Sequence, residues 1–423
     1  MPRGEGKGPG EPKKRWRKGR KSARPSPHSA QQQKPVSSNI YSAIDLGTNN
    51  CRLLVAQQTA NGFRVIDSFS RIVRLGEGLN RNGTLSAAAI DRTIDALNIC
   101  VAKMQRRGVT HMRNVATQAC REAQNCDEFI ERVEKEVRIK LHIIDPVEEA
   151  RLAVLGCKAL LDRKFSNAIV FDIGGGSTEL IWVKIRRNGL PEILDWTSVP
   201  FGVVNLSEKY GTMESISAAH YAEMKQTILQ GVKPFEQKNN MQGLVEKGQV
   251  QLLGTSGTIT TLTSMYLDLD SYDRNRVDGA WVDSGRIRDL CQKLAILNYE
   301  ERVALKSIGA DRADLVVAGC AILETIMDLW PIGRIRVADR GIREGMLLDM
   351  MRDHAPRGKP RNRRRPSSAR KDARKDSVKS KVRTTDSHHA TLQKKTRKKN
   401  QKNNSRIVGP QSSGTDKIRE ANR

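Results

Sequence analysis

Between residues 39 and 353 the hydrophobic positions alternate between two periods. Residues 41–44 and 52–56 are short apolar, β-rich stretches on either side of the segment DLGTNN, and 63–69 (FRVIDSF) alternates apolar and polar as a half-buried strand does. The period then lengthens. Ile90, Ile94, Leu97, Val101 and Met104 fall on one face of a helix over 86–107, which Gly108 stops. A strand is predicted over 112–117, a helix over 126–137 with Asn125 as its N-cap, and a further strand over 138–144. Asp145, Pro146 and Glu148 then give a strong helix start: a capping carboxylate, a proline at the first helical position and a capping-box glutamate. That helix is expected to run to about Leu161.

A second cycle follows. Strands are predicted over 168–172 and 179–184 around the turn IGGGST, then helices near 216–231. A strand over 250–253, the turn GTSGT and a helix over 259–266 come next, and RIRVADRGIREGMLLDMM reads as strand, Gly turn and last helix. The strand–Gly turn–strand unit occurs twice, about 125 residues apart, which implies two α/β domains of related build, 39–150 and 151–353.

Charge changes the picture at both ends. Residues 1–38 carry 11 basic and 2 acidic side chains and residues 354–423 carry 23 and 5, net +9 and +18 of the total +27. The middle holds 40 of each and is neutral. Both ends are too polar to offset their ordering entropy and are expected to be disordered basic tails able to hold a polyanion. No apolar run approaches the ~20 residues of a membrane span, and no signal peptide is expected. The seven cysteines include no C-x-x-C pair, which suits a reducing cytoplasm without structural zinc.

The two Gly turns carry the chemistry. In AIDLGTNNCRLLVA and in VFDIGGGSTELIWV an apolar strand ends in Asp, and a small-residue turn begins two positions later. Glycines there let backbone N–H groups converge on an anion, hydroxyls add donors, and the Asp can hold Mg²⁺ beside the phosphates. A strand after each turn excludes the P-loop and the Rossmann fingerprint. The GTSGT turn at 254–258, ahead of a helix, is a third anion site.

DLGTNN and DIGGGSTEL resemble the phosphate motifs of the acetate and sugar kinase, heat-shock chaperone and actin superfamily. With ATQACREAQN (116–125), EEARL (148–152), GTSGT, RADLVVAG (312–319) and DRGIREGML (339–347), the chain resembles the exopolyphosphatase / guanosine pentaphosphate phosphohydrolase (Ppx/GppA) family in its short two-domain form. The resemblance implies two actin-like, ribonuclease H-like domains around an interdomain cleft. It implies Glu149 as the carboxylate that orients and deprotonates water, a role its place in the first turn of a capped helix supports. Arg121 is implied as a phosphate clamp, and Asp45, Asp172 and Glu179 as metal carboxylates. Gly47, Thr48, Asn49, Gly174, Gly175, Gly176, Ser177 and Thr178 are implied as phosphate contacts, with Gly254, Ser256, Gly257 and Thr258 holding a more distant part of the substrate. Asn50 stands where the family often has Ser, which removes a hydroxyl at that position.

The function so implied is Mg²⁺-dependent hydrolysis of the terminal phosphoanhydride of inorganic polyphosphate, with the 5′-phosphate of guanosine pentaphosphate as the alternative substrate. A superfamily kinase and a nucleic-acid-tethered protein are remoter readings. The expected partners are the substrate, a polyanion (polyphosphate or RNA) at the tails and a second copy in a homodimer, with no membrane.

Overall fold

The computed structural model describes residues 35–60, 62–188, 191–211 and 215–354; almost all of the two expected tails lies outside them. Eleven strands are described: β1 (Pro35–Leu46), β2 (Asn50–Thr59), β3 (Gly62–Ile72), β4 (His111–Ala116), β5 (His142–Ile143), β6 (Asn167–Ile173), β7 (Thr178–Ile185), β8 (Pro191–Val199), β9 (Val250–Thr255), β10 (Trp281–Asp283) and β11 (Arg334–Ala338). They form one sheet in the order β3-β2-β1-β4-β5 and another in the order β10-β11-β9-β6-β7-β8.

The two sheets repeat one plan. In each, three antiparallel strands (β1–β3, β6–β8) are followed by strands parallel to the first (β4 and β5, β9 and β11), and β10 is an added edge in the second. This is the actin-like, ribonuclease H-like arrangement, present twice. Both sheets belong to one unit of the chain, Met1–Arg357, and the boundary expected at 150/151 falls inside helix Pro146–Cys157.

Side-chain alternation builds three layers of core. Ile44, Leu46, Leu53 and Val55 face helices Ala87–Arg106 and Cys126–Glu136 on the outer side of the first sheet. Ile169, Phe171 and Ile173 face helices Ala218–Asn239, Ser284–Ile296 and Val316–Leu329 on the outer side of the second. Residues of opposite parity, Tyr41, Ala43, Leu54, Ala168 and Val170, meet in a central layer with helices Pro146–Cys157 and Ile342–Asp353. Those two helices cross closely. A Cβ on Gly345 would run into the Leu152 carbonyl, and one on Gly156 into the Gly341 carbonyl.

Several local expectations change. The strand expected over 138–144 shrinks to His142–Ile143, after a left-handed turn at Arg138 (φ 61°). Asn125 does not cap its helix; its side-chain amide ties to both backbone groups of Leu85 instead. Asp145 does cap helix Pro146–Cys157, accepting from Glu148 N at 2.8 Å. The capping box stays open, because the Glu148 carboxylate is taken by Arg113 and Arg151 at 2.6 Å each. No described helix is long and apolar enough to cross a membrane.

Candidate active site

The two Gly turns close in the same way. Gly47 N donates to Asn50 O (2.9 Å), and Gly174 N donates to Ser177 O (2.8 Å). Behind each turn the strand pair is in matching register, but the residues differ: Asp45 lies opposite Arg52, whereas Asp172 lies opposite Glu179. The turns also touch one another. A Cβ on Gly175 would stand 3.0 Å from Thr48 Cβ and 3.1 Å from Asn49 N, tight enough that the first turn would have to give by a few tenths of an ångström. Glycine serves there for close approach of two loops, not for an unusual φ.

Together they wall a cleft enclosing about 1000 Å³ of open space. Asp45, Glu149, Asp172 and Glu179 all line it. Burial raises all four carboxyls above their ordinary range. Asp172 is pushed up to about 7, first by burial and then by the neighbouring Glu179 charge. Glu149, 7% exposed, is raised well above normal by burial and by Glu179. This reverses the expectation that its helix start keeps it ionised; loss of water outweighs the helix N–H groups. Glu179 Oε1 accepts from the Ser177 and Ser198 hydroxyls at 2.6 and 2.9 Å, so Ser177 Oγ is turned to a carboxylate.

Such a set of crowded, desolvated hard-oxygen donors suits a divalent cation. Among the described residues no three acidic, His or Cys side chains converge as a cage. A Mg²⁺ ion takes one or two carboxylates and fills its other positions with water and substrate phosphates, so Asp45 and Asp172 are the residues that could hold one.

Helix Gly257–Tyr266 also begins at the cleft. Its N-cap Ser256 has φ 95° and ψ 179°, a backbone region nearly confined to glycine, and its buried Oγ has no hydrogen-bond partner. Strain and an unmet hydroxyl thus sit together at a helix N-terminus. Helix Val203–Tyr210 also starts here, but its first N–H groups are spent: Val203 N and Val204 N donate to Gly174 O and Gly175 O. Two arginines complete the wall. Arg312 donates to Thr261 Oγ1 at 3.1 Å, and neither it nor Arg52 has an ion-pair partner among the described residues.

Most residues singled out from the sequence meet in this cleft: Asp45, Gly47, Thr48, Asn49, Glu149, Asp172, Gly174, Gly175, Gly176, Ser177, Glu179, Ser256, Gly257 and Thr258. Asn50 is there too, and Asn49 Oδ1 is buried without a partner. Three are not. Thr178 is fully buried with its hydroxyl donated to Phe201 O at 2.6 Å. Gly254 faces the core, where a Cβ would strike the Phe171 ring. Arg121 is not among the residues that line the cleft; its Nη1 donates to Ile144 O and Glu149 Oε2, both at 2.8 Å, and so holds the carboxylate in place. Sequence reading missed Arg52, Arg312, Thr117 and Gln118, all cleft residues. The strand register would have found Arg52, since it faces Asp45 as Glu179 faces Asp172.

A model of the Ppx/GppA phosphatase family matches residues 54–354. The chain is 29% identical over 322 residues to a bifunctional 3-dehydroquinate synthase/phosphatase of Fusobacterium nucleatum, covering 73% of this chain but only 46% of that protein. It is 26% identical over 313 residues to a putative exopolyphosphatase of Haemophilus influenzae, covering 74% and 91%. Among solved structures, an exopolyphosphatase from Cytophaga hutchinsonii superposes with a TM-score of 0.68 at 25% identity, covering 74% of this chain and 98% of that one.

Proposed function

Because this chain belongs to the Ppx/GppA phosphatase family, we propose that it is an exopolyphosphatase, removing the terminal phosphate of inorganic polyphosphate by hydrolysis with Mg²⁺. The observation that carries the reading is the meeting, in one cleft, of two anion-cradling hairpin turns, a helix N-terminus and four buried carboxylates. A phosphoanhydride needs that combination: positioning for phosphate, charge stabilisation, and a base for water.

Glu149 takes the proton of the attacking water. One carboxylate oxygen is fixed by Arg121, while the other has no hydrogen-bond donor among the described residues and is left for the water. The water oxygen bonds to the terminal phosphorus, the P–O bond to the bridging oxygen breaks, and the shortened chain leaves with that oxygen. Thr48, Asn49, Gly175 and Gly176 hold the terminal phosphate, and Arg52 and Arg312 hold phosphates further along. Asp45 and Asp172 would hold the metal, with Glu179, fixed by two serines, setting the field around them. A Mg²⁺ ion there would supply positive charge to phosphate oxygens and favour the ionised form of the surrounding carboxylates.

Phosphate release from polyphosphate and from guanosine pentaphosphate, measured side by side with Mg²⁺, tests the substrate. Faster release from polyphosphate is expected. A higher kcat/KM on guanosine pentaphosphate, or release only when ATP and an acceptor are supplied, overturns the proposal.

A further inference from the structure

A second groove lies at the other end of the larger sheet. Strands β9 and β11 run parallel, and their ends at Thr255 and Ala338 lead to the cleft. Their beginnings, Val250 and Arg334, line instead a groove of about 1090 Å³ of open space. Three aromatic side chains, Phe165, Tyr266 and Trp281, line it too.

Each aromatic is set among cationic groups. The guanidinium carbons of Arg334 and Arg336 stand 4.6 and 5.2 Å from the centre of the Trp281 ring; Arg336 is its direct cross-strand partner and Arg334 lies opposite Asp283, two residues along. Phe165 packs at 6.3 Å from the same ring, with its planes tilted by 40°. Arg286 covers Tyr266 at 4.8 Å. None of Arg286, Arg334 and Arg336 has an ion-pair partner among the described residues. Exposed Arg163 and Lys164 lead into Phe165. The one carboxylate of the lining, Asp283, is engaged: it caps helix Ser284–Ile296 by accepting from Arg286 N at 3.0 Å.

Unpaired guanidinium groups beside partly exposed aromatic faces make a surface that attracts anions and stacks flat rings. Polyphosphate offers the anion but no ring. A single-stranded nucleic acid offers both at regular spacing, and base stacking on aromatic side chains is tolerant of sequence. We propose that this groove binds single-stranded nucleic acid, with bases stacked on the Trp281 and Phe165 pair and backbone phosphates on Arg334 of the lining and on Arg336, which packs against Trp281 from outside it. The site is separate from the cleft, so an enzyme held on a nucleic acid there keeps its catalytic face free.

The test uses the full chain and a fluorescein-labelled 12-residue oligouridylate, read by fluorescence anisotropy over a range of salt. Trp281→Ala is expected to weaken binding at least about fivefold, with Trp281→Phe retaining most of it, because one lost stack is worth that much. Arg334→Ala with Arg336→Ala is expected to weaken binding and to lower the slope of log affinity against log salt by about 1 to 2. Phosphate release should be unchanged in all three. Wild-type affinity in both Trp281→Ala and the double arginine variant overturns the proposal. So does 4-thiouridine crosslinking that marks only 1–38 and 354–423 and spares the peptide around Trp281. If polyphosphate of equal phosphate content displaces the RNA equally well from wild type and from Trp281→Ala, the surface is merely electrostatic and the stacking site is rejected.

Discussion

At the scale of single residues, the centre of the site is one hydrogen bond, Arg121 Nη1 to Glu149 Oε2 at 2.8 Å. Glu149→Gln is expected to keep fold and substrate affinity while kcat falls by about 10²–10⁴; a rate near wild type in a phosphate-release assay removes Glu149 from the mechanism. Arg121→Lys separates positioning from phosphate binding. A lysine cannot serve the Ile144 carbonyl and Glu149 with the same fixed geometry, so kcat should drop at least about tenfold with KM little changed. A large rise in KM at constant kcat would restore Arg121 to the substrate. Asp172 gives a pH signature. Its carboxyl titrates near 7 in the folded chain against 3.8 when exposed, so the folded state holds that proton more tightly than the unfolded one. The associated stability is complete below pH 3.8 and is lost as pH rises through about 7. Without metal, Asp172→Asn should therefore gain on wild type between pH 4 and 8, by at most about 4 kcal/mol. Added Mg²⁺ should narrow the gap by stabilising wild type alone. Parallel melting-temperature curves across that range would contradict the assignment. Glu149 and the turn residues were legible because small residues and acids at strand ends leave a local mark. Arg312 was not, since an arginine in a loop has no local pattern and becomes distinctive only when the fold brings it to the cleft without an ion-pair partner; Arg52 shows only once the strand register sets it opposite Asp45.

At the scale of elements, the hairpins and helix starts were readable from periodicity and caps, and the exceptions have tertiary causes. Asn125 left its helix because the Leu85 backbone offered it both a donor and an acceptor. The Glu148 side chain left its capping box because two arginines compete for it, and their hydrogen bonds hold its carboxyl down at about 2. The fixed crossing of helices Pro146–Cys157 and Ile342–Asp353 matters more for function, since the first carries Glu149. Gly345→Ala puts a methyl group against the Leu152 carbonyl. We expect a cost of about 1–3 kcal/mol in denaturant unfolding, accompanied by reduced turnover as the Glu149 helix shifts. Unchanged midpoint and rate would show that the crossing has slack.

At the scale of the whole molecule, doubling of the strand–turn–strand unit foretold the two α/β halves, but not the central layer that joins them. The last described helix returns to pack on β1 and β2, a contact between parts of the chain about 300 residues apart that no local signal marks. At the cleft's edge the halves are clasped by Arg74 Nη1 to Asp314 Oδ2 and by Gly78 N to Glu208 Oε1, each at 2.8 Å. The basic segment 354–423, with net +18, lies outside the described residues except for His354, and its deletion tests polyanion capture. KM for long polyphosphate should rise, more so at low salt, and short substrates should be unaffected. Identical kinetics on long chains would exclude that role.

Linear polyphosphate has two indistinguishable ends and reads the same in either direction. A cleft built from two superimposable hairpins would hold it equally well in both senses, with half of all encounters unproductive. The exchange of one residue, Arg52 opposite Asp45 but Glu179 opposite Asp172, breaks that degeneracy. Under the proposed function, it gives the cleft a head and a tail, and so imposes a direction on a polymer that has none of its own.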